Sequence, residues 1–202
     1  MSAFVGAQRL TNRENLEPYA EQALIEQCRR NNLEAFGRLV DAYQARIHGF
    51  VRRTVSSADE AEDLTQEVFI RAFQNLSKFD GRSSLRTWLF RIAHNLCIDA
   101  ARKRGRSIAE VRDTDESGEL IDAQDNRYSP ESLAMNRELM DVVEDAIAGL
   151  SEKLRSVLLL HDKEELEYEE IANVLDIPIG TVKSRLFLAR AAVQKALEEY
   201  RK

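Results

Sequence analysis

Between Gly105 and Glu131 the chain loses the apolar periodicity that runs through its two flanks, dissolving into Asp, Glu, Ser and Gly and ending at Ser129-Pro130. A segment of this length without an apolar face buries too little surface to offset the entropy of ordering it. It therefore reads as a linker, because structureless loops this long are uncommon inside a compact domain. Each flank must then close a core of its own.

Both flanks carry helical spacing. From Glu21 to Val55, Leu24, Ile25 and Cys28, then Ala35, Phe36, Leu39, Val40 and Tyr43, then Ile47, Phe50 and Val51 recur at three- and four-residue intervals, broken near Asn31-Asn32. A third helix is expected from Ala58 to Leu76, with acids in its first turn where the helix dipole favours them. After the polar stretch "SKFDGRSS", residues 85–104 form a further helix with Leu85, Trp88, Leu89, Ile92, Leu96 and Ala100 on one face. Arg91, His94, Ile98 and Arg102 lie on the other, so His94 is expected at the surface. Helical spacing returns from Pro130 to Leu150 and resumes after Ser151, a residue suited to an N-cap. Only three prolines and eight glycines interrupt the chain. The predicted fold is all-α: an N-terminal extension (1–20), a helical domain (21–104), an acidic linker (105–131) and a second small helical domain (132–202).

The net charge of −6 hides an uneven distribution. Residues 71–106 hold nine bases against two acids, whereas residues 113–125 hold six acids and no base. A polyanion would feel the local patches rather than the average. Cys28 and Cys97 show no metal spacing and fit buried thiols. No apolar run approaches the ~20 residues that span a bilayer, and the N-terminus lacks a signal-peptide layout, so a cytoplasmic protein without membrane insertion is expected. No nucleophile–base pair, metal cluster or glycine-rich phosphate loop appears, so neither an enzyme nor a cofactor is expected.

The stretch "YEEIANVLDIPIGTVKSRLFLAR" (168–190) has the offsets of a helix-turn-helix: Ala172 where the helices cross, Asp176 in the turn, then Ile177 and Val182 as apolar contacts. Pro178 pushes Ile177 out of helical conformation and begins the next helix. On that helix Val182, Leu186, Ala189 and Val193 make the packing face. Gly180, Lys183, Ser184, Phe187 and Leu188 point outward. Such a face suits a DNA major groove, since small residues permit close approach, Lys and Ser donate hydrogen bonds, and Phe meets thymine methyls. The alternative is an interface helix that buries Phe187 and Leu188 elsewhere. Residues 178–202 carry six bases against two acids, which favours DNA.

Together "DLTQEVFIRAF" (63–73), "LRTWLFRIAHNLCIDAARKR" (85–104) and the 168–197 segment resemble the extracytoplasmic-function sigma factors, the small two-domain group of the bacterial sigma-70 family. The resemblance implies a transcription initiation factor that joins core RNA polymerase through the β′ clamp helices and the β subunit. It would recognise minus-35 and minus-10 promoter DNA, melt the latter, and be controlled by an anti-sigma factor. On that likeness Asp63, Gln66 and Glu67 contact the polymerase. Phe79, Asp80, Gly81, Arg82 and Ser83 form a pocket for a displaced minus-10 base, with Arg91, Asn95, Arg102 and Arg104 holding phosphates or base edges nearby. Gly180, Thr181, Lys183, Ser184, Arg185 and Phe187 contact the minus-35 element. Trp88 shares a face with Leu85, Leu89 and Ile92 and is expected in the core. Two positions depart from the family pattern: Asp176 stands where glycine is frequent, and Leu188 where a base is frequent.

A tether over 105–131 spans about 30 Å as a flexible coil and roughly 90 Å fully extended. Promoter elements two DNA turns apart lie on the order of 70 Å from each other. The free chain is thus expected to present its domains at promoter spacing only seldom, and to bind promoters weakly without polymerase. Its acids either mimic RNA inside the polymerase or serve as a soluble spacer. A competing reading, an operator-binding regulator that uses only the helix-turn-helix, predicts DNA binding without polymerase and leaves the 85–106 bases and the Asp63-Gln66-Glu67 face without a task.

Overall fold

The computed structural model describes residues 18–103 and 137–200, which form two helical bundles. The N-terminal bundle holds α1 (Pro18–Arg29), α2 (Leu33–Thr54), α3 (Ala58–Asn75), a short 3-10 turn (Leu76–Lys78) and α4 (Leu85–Lys103). The break near Asn31-Asn32 is a turn with Asn31 at φ 60, and the Asn32 side chain caps α2 by accepting from the Ala35 N–H at 3.1 Å. Ser57 does the same for α3, accepting from Glu60 N–H at 3.1 Å. Ile47, Phe50 and Val51 of α2, Ala61 and Val68 of α3, and Phe90 and Ala93 of α4 are buried, and the Phe50 and Phe90 rings meet edge to face at 5.5 Å. Cys28 and Cys97 are both buried, as the sequence suggests.

The C-terminal bundle holds α5 (Arg137–Gly149), α6 (Glu152–Leu158), a π-helical turn (Leu159–Lys163), α7 (Tyr168–Leu175) and α8 (Ile179–Tyr200). Val157, Leu160, Ile171, Val174, Val182 and Ala189 form its centre. Ser151 stands at the N-cap of α6, yet its side chain makes no cap bond. Arg155 instead ties α6 back to the end of α5, donating to the carbonyls of Ile147 and Leu150. The proposed linker, Arg104 and residues 1–17 lie outside the described residues.

The two bundles do not stand apart. Helix α4 packs against α7, and α2 touches α6. Among the described residues three ion pairs cross this interface, each with the base on the N-terminal bundle: Arg46–Glu164 at 2.9 Å, Arg53–Glu144 at 3.0 Å and Arg86–Glu170 at 3.1 Å. The first is buried and doubled, because Arg46 also donates to the Glu164 carbonyl at 2.9 Å. Helix α4 is therefore covered by α2, α3 and α7 together, which corrects the two-face reading of its sequence. His94 is only 8% exposed, not at the surface, and burial lowers its pKa to about 4.

Candidate nucleic-acid interface

The turn of the C-terminal motif closes as the residues require. Asp176 adopts the left-handed conformation (φ 55, ψ 49) and its N–H bonds the Ala172 carbonyl. Asp reaches this region more readily than most residues, so the absent glycine is tolerated. The Pro178 carbonyl accepts from Thr181 N–H at 2.9 Å and Val182 N–H at 3.1 Å, starting α8. Val182, Leu186 and Ala189 are buried and Val193 packs behind them. Gly180, Lys183 and Ser184 are exposed, with Phe187 at 49% and Leu188 at 54%, while Thr181 and Arg185 are half-buried. A Cβ at Gly180 would meet nothing within 4 Å, so packing within the chain does not require the glycine; its bare backbone is instead available to an approaching ligand. Arg190 anchors α8 to the π-helical turn through Asp162 at 2.6 Å.

On the N-terminal bundle, Arg91, Asn95 and Arg102 share one exposed strip of α4 with Asp99, which lies 3.8 Å from Arg102. Asn95 also lines a cavity of about 330 Å³ with Arg71, Asn75, Lys78, Trp88 and Ile92. Of these lining residues, the sequence had suggested a DNA role only for Asn95. Arg71, Asn75 and Lys78 come from α3 and the turn after it, and only the fold carries them to α4. Trp88, expected in the core, packs against it but is only half-buried, and one side borders this cavity.

In the preceding loop Asp80 accepts from the Arg82 N–H at 3.1 Å and pairs with its guanidinium at 2.8 Å, while Gly81 takes φ +75. Arg82 projects, its side chain 89% exposed, and Ser83 is half-buried. Phe79 differs from expectation: it is 6% exposed, its ring tilted on Trp88 at 5.2 Å, and its carbonyl accepts from Arg29. The apolar ring closes the core beneath the loop and presents no free face on which a base could stack.

Along α3, Asp63 and Gln66 are exposed and Glu67 pairs with Arg71 at 2.8 Å. The same face continues into Ile70, 50% exposed, and Phe73, 37% exposed, whose ring meets Phe36 of α2 edge-on at 5.0 Å. These apolar residues were missed; the spacing of Ile70, three and four residues from Glu67 and Gln66, and of Phe73 three further on, was the available signal.

The fold and these surfaces define a two-bundle helical protein with a helix-turn-helix and a basic second face. The chain matches sigma-70 region 2 over residues 39–107 and sigma-70 region 4 over residues 140–193. It is 40% identical over 181 residues to RNA polymerase sigma-H factor of Pseudomonas aeruginosa, covering 88% of this chain and 94% of that one. Identity to sigma factor SigW of Bacillus subtilis is 36%, covering 87% of this chain and 95% of that one. For sigma-E factor of Escherichia coli K12 the identity is 35%, with 90% and 96% covered. Among solved structures, sigma factor RpoE of Bartonella quintana, in complex with the anti-sigma factor NepR, superposes with a TM-score of 0.61 at 26% identity, covering 81% of this chain and 96% of that one. CnrH, in complex with the cytosolic domain of CnrY, shares the fold with a TM-score of 0.64 at 23% identity, covering 89% and 98%. The chain belongs to the extracytoplasmic-function group of the sigma-70 family, the RNA polymerase sigma factors that direct promoter-specific transcription initiation.

Proposed function

We propose that the two bundles divide promoter recognition between them, and that the chain acts in the cytoplasm by binding rather than catalysis. Helix α8 enters the major groove of the minus-35 element with Gly180, Lys183, Ser184 and Phe187 foremost and with Thr181 and Arg185 at its margins. The cavity bordered by Trp88 and Asn95 receives a displaced minus-10 base, with Arg82, Arg91, Arg102 and Arg104 along the strand. The α3 face of Asp63, Gln66 and Glu67, extended by Ile70 and Phe73, docks on the β′ clamp helices of core polymerase. The observation that carries this reading is the pair of separate DNA-suited surfaces: an exposed Phe187 and Lys183 on α8, and a basic, amide-lined cavity beside α4.

The relative RpoE was solved with an anti-sigma factor, and control by such a partner is proposed here too. Run-off transcription with core polymerase on a promoter library tests the whole reading and returns the recognised bases. The expected result is initiation only when the chain is present, from templates sharing two elements. Initiation that does not depend on the chain would overturn it, as would operator-like DNA binding unaffected by polymerase.

A further inference from the structure

The carboxylate of Glu170, on α7, sits in a cluster of donors built from the start of α4. The Thr87 hydroxyl lies 2.7 Å and the Ser84 hydroxyl 3.1 Å from Oε1, and Arg86 donates its guanidinium to Oε2 at 3.1 Å. The donors are arranged independently of their guest. Ser84 Oγ accepts from the Thr87 N–H at 3.1 Å, the two hydroxyls lie 2.7 Å apart, and Thr87 is 2% exposed. The Glu170 carboxyl is held below its ordinary value: burial alone would raise it, and the hydrogen bonds from Thr87, the Glu167 backbone and Ser84, with the charge of Arg86, outweigh that. The cluster thus favours an anion, presenting a mutually hydrogen-bonded pair of hydroxyls to one oxygen and a guanidinium to the other.

Its position gives the anion an identity. The donors follow directly on the Phe79–Ser83 loop, in the segment 71–106 that carries nine bases against two acids. Two adjacent non-bridging oxygens with a negative charge, arriving at a basic surface, are what a phosphodiester supplies, and hydroxyls with Arg are its usual partners. We infer that Ser84, Arg86 and Thr87 form a phosphodiester site for the promoter strand, and that Glu170 fills it in the free chain as a stand-in for phosphate. This rests on the sigma-factor reading and adds a competition to it. Closure of the two bundles and seating of DNA at this site exclude each other, so opening must accompany binding. Neither Arg86 nor the two hydroxyls stood out in the sequence, because their common partner lies more than eighty residues away on the other bundle.

The test uses the full chain with core polymerase, on the promoter fragment that gives the strongest run-off product with the unaltered chain. Arg86→Ala is expected to weaken the polymerase–promoter complex about five- to tenfold and to reduce the slope of log affinity against log salt by about one. Arg86→Lys is expected to restore that slope. Glu170→Gln keeps the acceptor for the Glu167 N–H, so α7 stays capped. It is expected to leave the slope in the polymerase complex unchanged while raising DNA binding by the free chain several-fold. An Arg86→Ala complex with the unaltered slope overturns the phosphate site. Free-chain DNA binding unmoved by Glu170→Gln overturns the competition. An unaltered chain that directs no run-off transcription overturns the sigma-factor reading, and this inference falls with it.

Discussion

His94 shows how far one side chain departs from the pattern around it. Its ring is buried, its Nδ1 has no hydrogen-bond partner among the described residues, and its pKa is lowered to about 4 from 6.5. Between those values the unfolded chain binds a proton that the folded chain refuses, so stability rises with pH through this window and is lost as pH falls through it. The difference amounts to on the order of 3 kcal/mol. Denaturant unfolding at pH 4.5 and 7.5 checks this. His94→Leu is expected to reduce the stability gap between the two conditions by about 2 to 3 kcal/mol relative to the unaltered chain. An unchanged gap would place the proton elsewhere.

Among the elements, α8 offers the cleanest separation of stability from function. Phe187 is half-exposed and lies opposite the buried Val182, Leu186 and Ala189. Phe187→Ala is therefore expected to change unfolding free energy by less than about 0.5 kcal/mol while lowering minus-35-dependent transcription severalfold; a large stability loss would mean the ring packs within the chain. This helix was legible from sequence because its packing face repeats at helical spacing and Asp176-Ile177-Pro178 marks the turn. Helices α2 and α3 were legible for the same reason. Helix α4 was only half legible. Periodicity assumes one buried face, but α2, α3 and α7 all press on it, which hides His94 and leaves Arg91, Asn95 and Arg102 as the exposed strip. Phe79 was misread because a loop aromatic looks available until the fold shows what it covers. The cavity partners Arg71, Asn75 and Lys78 carry no signal of their own, since ordinary charges on a helix read the same whether or not a pocket forms beside them.

At the scale of the molecule, the interface between the bundles is what the sequence hid most completely. The ion pairs that cross it join residues far apart in the chain, so no local pattern announces them. The structure revises the picture of two bundles at the ends of a slack tether: the free chain is closed. Breaking a buried pair by removing one member costs about 3 to 5 kcal/mol when the remaining charge has no route to water. Here it has one, because separation of the bundles rehydrates Glu164, and Arg46→Ala should consequently open the chain rather than unfold it. The central claim is that a closed molecule must open to span two promoter elements. It is tested most directly by the distance between fluorescent labels on exposed Gln74 and Glu198, measured by energy transfer in the free chain, in Arg46→Ala, and in the complex with core polymerase. The account predicts a short distance in the free chain, a broadened and longer one in Arg46→Ala, and a fixed separation larger by tens of ångströms on the polymerase. The same short distance in all three would contradict it.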